Sequence, residues 1–181
     1  MSCSAREFDL RARKIRLVVL DRDGVLTDGR IAIDARGREA RVFHGRDRTG
    51  IALLERGGIR VVVRADRAGK TLPPYARRLG VSALVADGDD VVASVRRFAS
   101  RRRLGMDAVA YVGDDLLALP LLAAVGLAVS VADAPPHVRR AAHWITNGPG
   151  GSGVTIEVAE RVLRAQGKWA STLGEIWRGW D

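Results

Sequence analysis

Cysteine is nearly absent from this sequence, in which Cys3 is the only one among 181 residues. A single thiol excludes a disulfide within the chain, and it also excludes a zinc site built from several cysteines. Chains without disulfides are typical of the reducing cytoplasm, and the polar first 16 residues lack the apolar core of a signal peptide. We therefore expect a cytoplasmic protein.

Long apolar runs are also missing. A transmembrane helix needs about 20 consecutive apolar residues, and runs such as "VGLAVSVA" at 125–132 are far shorter. The hydrophobic fraction of 47% is nevertheless enough for a full core. We expect a globular protein with no membrane partner.

Lysine and aromatic residues are scarce, although the net charge is +9. Arginine carries nearly all of the positive charge, because the only lysines are Lys14, Lys70 and Lys168. A basic chain can bind nucleic acid. Here, however, the arginines are scattered, their densest run is residues 101–103, and no nucleic-acid motif accompanies them. We expect a solvated, arginine-rich surface and no nucleic-acid partner.

Apolar strand-like segments alternate with helix-like segments along the chain. This alternation is typical of parallel βαβ units, so we expect an α/β fold with a doubly wound parallel sheet. Short alternating segments around an Ala-Arg-Gly turn predict a β-hairpin over 30–44. The predicted strands are 15–20, 59–65, 81–86, 108–113, 127–132 and 143–146, and the predicted helices are 49–58, 70–80, 89–105, 116–126, 135–142 and 153–169.

The length of the chain fits one domain of ordinary size. We expect a single domain over 1–181, with its core in residues 15–168 and a C-terminal tail over 169–181. The hairpin over 30–44 is the only insertion, and it is too small to be a cap domain.

Acidic residues follow the predicted strands where the strands end. The first strand is followed by "DRDG", which contains Asp21 and Asp23, and the fourth by "GDD", which contains Asp114 and Asp115. In a parallel sheet these ends meet at one edge, where ligands bind. Carboxylate and carbonyl oxygens suit Mg²⁺. The sequence therefore predicts a magnesium site, with solvated turns as the alternative.

Two motifs carry a resemblance to a family. The segment "LDRDGVLTDG" followed much later by "YVGDD" resembles the haloacid dehalogenase-like (HAD) phosphatases. With "GREARVFHGRDRTGIALL", "VAYVGDDLLALPLLAAVGLAVSVADA", "GGSG" and "RAQGK", the chain is similar to the 3-deoxy-D-manno-octulosonate 8-phosphate phosphatase branch and to the phosphatase-like domain of some CMP-sialic acid synthetases. The resemblance implies a Rossmann-like HAD fold without a large cap. It also implies a Mg²⁺-dependent phosphatase acting on a phosphorylated sugar or sugar acid.

The resemblance also implies roles for individual residues. Asp21 would attack phosphorus and form an aspartyl-phosphate. Asp23 would act as general acid and then as general base, while its backbone carbonyl binds the metal with Asp21 and Asp114. Asp115 would support this ligand set, and Gly24 would let backbone N–H groups approach the phosphate oxygens.

The sequence departs from the family at two catalytic positions. Ala65 stands where the family has the Thr or Ser that binds the phosphoryl group, and Val91 stands where it has a Lys. Arg64, Arg67 or Lys70 could replace the missing cation, since arginine is a good phosphate clamp; the alternative for Arg64 is a guanidinium in solvent. Two functional hypotheses follow: a phosphatase with altered or weakened activity, or a catalytically inactive homologue that serves as an oligomeric or regulatory scaffold.

The remaining expectations concern subunit contacts. Arg46 and Asp47 match an Arg-Asp segment of the family. The resemblance suggests that they could face the substrate, either in their own subunit or across a subunit boundary. The alternative is that Asp47 or Thr49 caps the following helix. In this branch the hairpins of four subunits assemble a tetramer, which implies a homotetramer here. The tail over 169–181 either packs on its own domain as an amphipathic helix or folds over a neighbouring subunit's site.

Overall fold

The computed structural model of the chain describes residues 3–65, 73–81, 83–86 and 90–178, and helices and strands alternate through these ranges. The strands are β1 (Leu17–Asp21), β2 (Ala32–Ile33), β3 (Glu39–Ala40), β4 (Arg60–Ala65), β5 (Ala83–Ala86), β6 (Val109–Gly113), β7 (Leu127–Ser130) and β8 (Trp144–Ile145). The helices are α1 (Ala5–Ala12), α2 (Gly45–Arg56), α3 (Pro74–Leu79), α4 (Val91–Ser100), α5 (Leu119–Ala124), α6 (Pro136–Ala141), α7 (Thr155–Ala165) and α8 (Trp169–Arg178).

Six of the strands form one sheet in the order β5-β4-β1-β6-β7-β8. Every neighbouring pair in this sheet is parallel, which confirms the predicted α/β fold with a doubly wound parallel sheet. The central strand β1 lies between β4 and β6, in a register that places Asp21 beside Arg64. The carboxyl ends of these three strands therefore meet at one edge of the sheet.

The central strands are apolar because helices cover both faces of the sheet. Every residue of β1 and of β6 is buried, and these strands consist mostly of valine, leucine and alanine. Near-continuous apolar runs of this kind are typical of parallel strands buried on both faces. The polar residue that ends β1, Asp21, is consequently carried into a buried position.

The predicted hairpin is present between residues 30 and 44. Strands β2 and β3 pair antiparallel with Ile33 opposite Glu39. Asp34 closes the turn, since its Oδ1 accepts hydrogen bonds from the backbone N–H groups of Arg36 and Arg38, both at 2.9 Å. The hairpin projects from the domain, and Ile33 on it is 67% exposed.

The N-terminal segment folds as α1, a helix that the sequence analysis did not predict. Ser4 caps it by accepting a hydrogen bond from the N–H of Glu7 at 3.2 Å. Phe8 and Ala12 on one side of α1 are buried in the core, and the Phe8 ring meets Trp144 edge to face with centroids 5.6 Å apart. The core therefore begins before residue 15, where the prediction placed its start.

The C-terminal tail is helical through residue 178. Trp169 and Ile176 of α8 pack against the core, and Thr172 between them is buried. As far as residue 178, the tail therefore has the form of the first alternative, an amphipathic helix packed on its own domain, and residues 179–181 lie outside the described residues. Among the described residues, no helix is long and apolar enough to cross a membrane.

Helix α2 begins earlier than predicted. His44 is its N-cap, with Nδ1 accepting a hydrogen bond from the N–H of Arg46 at 3.2 Å. The expectation that Asp47 or Thr49 caps the helix was therefore wrong. The helix crosses α7 closely at Gly50, where a Cβ would overlap Thr155.

Candidate active site

A cleft of about 260 Å³ opens at the carboxyl edge of the sheet, between the ends of β1, β4 and β6. It brings together most of the residues that the sequence analysis selected. The lining residues are Asp21, Arg22, Asp23, Gly24, Gly29, Arg64, Asp114 and Asp115.

Asp21 lies at the base of this cleft and is only 1% exposed. Its Oδ1 accepts a hydrogen bond from Arg64 Nε at 2.6 Å, and its Oδ2 accepts from Arg64 Nη2 at 3.3 Å. The Tyr111 hydroxyl donates to the same Oδ2 at 2.5 Å. Both carboxylate oxygens of Asp21 are therefore engaged. The Arg64 guanidinium lies in the cleft. The alternative from the sequence analysis, which placed this group in solvent, is therefore not the one observed.

Burial dominates the electrostatics of two carboxyl groups in the cleft. It raises the pKa of Asp21 to about 7, against the opposing effects of Arg64 and Tyr111. Burial, followed by repulsion from Asp115, raises the pKa of Asp114 to about 6. Two neighbouring carboxyls whose charged forms are disfavoured make a place where a bound cation is stabilising.

Asp23 has the opposite electrostatics, although it lies two residues from Asp21. Partial burial would raise its pKa, but hydrogen bonds from Arg22 and Arg41 outweigh this effect and the pKa is lowered. Arg22 Nη2 is 2.7 Å from Oδ2, and Arg41 Nε is 2.8 Å from Oδ1. Asp23 is therefore held as a carboxylate by two arginines.

Gly24 turns the chain tightly beside Asp114. Its φ is +78°, which favours glycine, and a Cβ built at this position would overlap the Asp114 carboxylate. The loop Arg22–Leu26 and the loop after β6 are thus in direct contact. Glycine is needed at position 24 both for its backbone angle and for this contact.

The "GGSG" loop, residues 150–153, packs against the loop that contains Gly24. The N–H of Gly151 donates to the carbonyl of Val25 at 2.9 Å, and a Cβ at Gly150 would overlap the Gly24 carbonyl. Asp133 fixes the other side, since its Oδ1 accepts from the N–H of Gly150 at 2.9 Å. The GGSG loop therefore supports the Asp-rich loop through backbone contacts.

Asp115 lines the cleft at the start of the turn Leu116–Ala118. Its Oδ1 accepts a hydrogen bond from the N–H of Leu117 at 3.1 Å, and its charge contributes to the raised pKa of Asp114. This position agrees with a supporting role beside Asp114, which remains a prediction.

Two of the residues selected from the sequence, Arg46 and Asp47, do not line the cleft. Arg46 is exposed on the first turn of α2. The predicted phosphate-binding residue Arg67 and the alternative cation Lys70 lie outside the described residues. Asp47 is fully buried and accepts a hydrogen bond from the Thr155 hydroxyl at 2.9 Å. The suggestion that Asp47 faces the substrate was therefore wrong, because the side chain ties α2 to α7.

Ala65 and Val91 are the two positions at which the sequence analysis expects the chain to depart from the family, and each lies at the end of an element. Ala65 is the last residue of β4, and Val91 is the first residue of α4. Val91 is half-buried and packs against the core. It offers only an apolar group at the start of the helix.

The sequence analysis selected Arg64 but not Tyr111 or Arg41, which also donate hydrogen bonds to the two aspartates. For Tyr111, a hydroxyl within the apolar run "AVAYVG" is a usable signal, because a buried hydroxyl needs a partner. Arg41 reaches Asp23 from the end of the hairpin, and nothing in its sequence neighbourhood distinguishes it from other arginines.

The chemistry of the donors fits a hard divalent cation. Asp21 and Asp114 offer carboxylate oxygens, and the backbone carbonyl of Asp23 completes the set that the resemblance implies. Within the described ranges, no cluster of three or more His, Cys, Asp or Glu side chains is arranged to hold a metal. A metal site built from two carboxylates and a main-chain carbonyl does not need such a cluster of three side chains.

Sequence comparison shows that the chain is similar to phosphatases of several bacteria. It is 37% identical over 164 residues to the 3-deoxy-D-manno-octulosonate 8-phosphate phosphatase of Yersinia pestis, covering 91% of this chain and 88% of that protein. The corresponding phosphatase of Escherichia coli K12 is 35% identical over 165 residues, with coverage of 91% and 88%. No protein-family model matches the chain.

Solved structures agree with the sequence comparison. The crystal structure of the Yersinia pestis phosphatase superposes with a TM-score of 0.84 at 36% identity, covering 91% of this chain and 89% of that one. The Moraxella catarrhalis phosphatase, solved with a magnesium ion, a phosphate ion and a KDO molecule, has a TM-score of 0.86 at 28% identity, covering 94% and 98%. By sequence and by structure, the chain belongs to the 3-deoxy-D-manno-octulosonate 8-phosphate phosphatase family of HAD phosphatases.

Proposed function

We propose that the chain is a Mg²⁺-dependent phosphatase that hydrolyses a phosphorylated eight-carbon sugar acid or a close relative of it. The observation that carries this proposal is the convergence of Asp21, Asp23 and Asp114 on one cleft. The Moraxella catarrhalis relative, which holds magnesium, phosphate and KDO together, supports both the metal and the substrate class. The proposal includes a cytoplasmic location, in line with the cysteine content.

Asp21 is proposed as the nucleophile. One of its carboxylate oxygens attacks phosphorus, the bond to the sugar oxygen breaks, and that oxygen leaves with a proton from Asp23. Water then attacks the aspartyl-phosphate while Asp23 takes up its proton, which releases inorganic phosphate and restores Asp21. Mg²⁺, when bound, supplies positive charge next to the transferred phosphoryl group.

The environment of Asp23 suits the general-base step of this cycle better than the general-acid step. Arg22 and Arg41 lower its pKa and hold it as a carboxylate, the form that accepts a proton from water. To donate a proton to the leaving group, Asp23 must first gain one. The surrounding charges therefore favour the general-base step.

Arg64 is proposed to supply the cation that the family places at the position of Val91. Its side chain is 15% exposed and lies in the cleft, with Nε on Asp21. A guanidinium carries five N–H donors in a fixed plane, which suits it to bind phosphate oxygens in the cleft. Arg67 is proposed as a second phosphate-binding residue on the strength of the family pattern.

Phosphate release from a panel of sugar and sugar-acid phosphates tests the proposal, with Mg²⁺ in one series and EDTA in the other. We expect metal-dependent release by the wild type and none by Asp21→Asn. The matched control is Asp9→Asn, which changes an exposed carboxyl on α1 and leaves release unchanged. Release that persists in Asp21→Asn would contradict the phosphoenzyme route.

A second candidate function is an inactive homologue that serves as an oligomeric or regulatory scaffold. It is favoured by Ala65 and Val91, which lack the family's donors, and by Arg64, which engages the proposed nucleophile. Loss of one preorganised donor costs about 10²–10³ in rate. A folded protein that binds Mg²⁺ but releases no phosphate from any substrate in the panel would favour this candidate.

The same proposal includes a homotetramer built through the hairpin, with Arg46 approaching a neighbouring subunit's cleft. Supporting this, Ile33 and Val42 are 67% and 82% exposed on or beside the hairpin. Light scattering after size exclusion measures the assembly. Ile33→Glu is expected to reduce the mass to that of smaller species, whereas Leu10→Glu, at an exposed position of α1, is expected to leave it unchanged. A wild-type monomer would contradict the proposal.

A further inference from the structure

Arg64 and Asp21 form an almost buried ion pair at the base of the cleft. They are neighbours in the register of β4 and β1, so their side chains leave the sheet on the same side. The Asp21 side chain is 2% exposed and that of Arg64 is 15% exposed, with Nε and Oδ1 2.6 Å apart. Asp21 thus already has a cation within the chain itself.

A divalent cation bound in this cleft would need the same carboxylate. Both Asp21 oxygens are engaged, by Arg64 and by Tyr111. Of these two donors, Tyr111 is fully buried in the middle of the sheet, where close packing restricts movement. Arg64 has a long side chain that reaches the open cleft, so Arg64 is the donor that can leave.

We propose that Arg64 is an internal counter-ion that competes with the divalent cation for Asp21. The inference rests on the proposed function, because it takes Asp21 and Asp114 as metal ligands. Metal binding displaces the Arg64 guanidinium from Asp21, which returns a positive charge to the cleft. That charge attracts an anion, so the divalent cation and phosphate promote each other's binding. Reciprocity between the two ligands is a thermodynamic necessity.

This coupling gives Arg64 a role that a purely structural ion pair would not have. A structural pair stabilises the fold whether or not ligands are present. A competing counter-ion instead makes the affinity for Mg²⁺ depend on whether phosphate is available to receive the guanidinium. The protein would hold Mg²⁺ weakly when the cleft is empty and tightly when phosphate is bound.

Calorimetric titration of the full-length protein with Mg²⁺, with and without inorganic phosphate, tests the inference. In the wild type, phosphate is expected to tighten Mg²⁺ binding by about tenfold, a typical coupling between sites. In Arg64→Gln, Mg²⁺ alone is expected to bind about tenfold tighter than in the wild type, and phosphate to add little. Arg60→Gln, on the same strand but exposed and at its other end, is expected to match the wild type.

The outcomes separate this inference from the proposed function. Equal Mg²⁺ affinity in Arg64→Gln and the wild type would overturn the proposal that Arg64 competes with the metal. It would not affect the proposed phosphatase activity, which phosphate release tests independently. Failure of Mg²⁺ to bind either protein would overturn both. Asp114→Asn, which removes a proposed ligand, is expected to abolish binding and so identifies the site that is titrated.

Arg64→Lys provides a second variant if Arg64→Gln does not fold. Lysine keeps the positive charge but lacks the planar set of donors, so it holds Asp21 less firmly. We expect Mg²⁺ affinity in Arg64→Lys to lie above that of the wild type. An affinity equal to or below the wild-type value would overturn the inference.

Discussion

Gly24 leaves the space that the Asp114 carboxylate fills, since a Cβ at position 24 would overlap that group. The loop after β1 and the loop after β6 are therefore fitted to each other at the cleft. Two acidic segments that lie far apart in the sequence reach this contact because β1 and β6 are adjacent in the sheet.

Gly24→Ala tests this contact. We expect phosphatase activity to fall at least about 100-fold, since displacing a catalytic group by about 1 Å can have this effect. Gly37→Ala is the matched control, because Gly37 has a similar φ of +74° with open space around it. The control should lose about 1–2 kcal/mol of stability from the left-handed backbone alone and keep its activity. Equal activity in the two variants would show that the contact with Asp114 has no catalytic importance.

Tyr111→Phe removes one hydrogen bond from the buried Asp21 carboxyl and keeps the ring. A hydrogen bond to a charged group contributes about 1.5–3 kcal/mol, so we expect urea unfolding to show a loss of that size. A loss below about 0.5 kcal/mol would indicate that Arg64 alone satisfies Asp21.

Asp47→Asn is expected to change how stability depends on pH. Burial is the main cause that raises the pKa of Asp47, against the lowering effects of Thr155 and His44. The folded protein therefore keeps this proton to higher pH than the unfolded chain. The stability that Asp47 contributes is present below the unfolded pKa, about 3.9, and is lost as pH rises through the folded value.

The measurement is urea unfolding of both proteins at pH 4.5 and pH 8. The stability of Asp47→Asn relative to the wild type should increase between these two values, because the amide does not titrate. Asp9→Asn, at an exposed position on α1, gives the baseline for exchanging a carboxyl for an amide. A relative stability of Asp47→Asn that follows this baseline would argue against burial as the dominant effect.

Gly50→Ala tests the close crossing of α2 and α7. Its Cβ would overlap Thr155 and lie 2.6 Å from the N of Ile156, and a backbone atom cannot move away cheaply. Forced overpacking costs about 1–3 kcal/mol. Gly45→Ala in the same helix meets nothing within 4 Å and should be neutral or slightly stabilising. Comparable thermal unfolding of the two variants would refute the close crossing.

The sequence predicted the sheet and the acidic cleft because both depend on local patterns. Apolar runs separated by helical segments define the parallel strands, and the position of Asp21 and Asp114 directly after two such runs decides which edge they share. Side-chain partners were harder to predict. Arg41 meets Asp23 across 18 positions of chain, and its contact depends on how the hairpin folds back.

The starts of α1 and α2 differ in their local sequence signals. The start of α1 has a capping signal, and the start of α2 has none. Ser4 followed by Glu7 has the spacing of a capping box, and α1 starts there. The start of α2 carried no such signal, since its cap is His44, which is not among the preferred capping residues. The burial of Asp47 also followed from tertiary packing against Thr155, which no local pattern encodes.

The position of β1 between β4 and β6 has a consequence for the loss of activity on heating. The cleft residues Asp21, Arg64 and Asp114 lie at or next to the carboxyl ends of three adjacent interior strands, whose amides are expected to exchange with solvent only through global opening. These three residues are therefore positioned by the central sheet itself. On heating, catalytic activity and the folded structure of the whole domain should therefore be lost at the same temperature. A partly folded form in which only the cleft is disrupted should not accumulate.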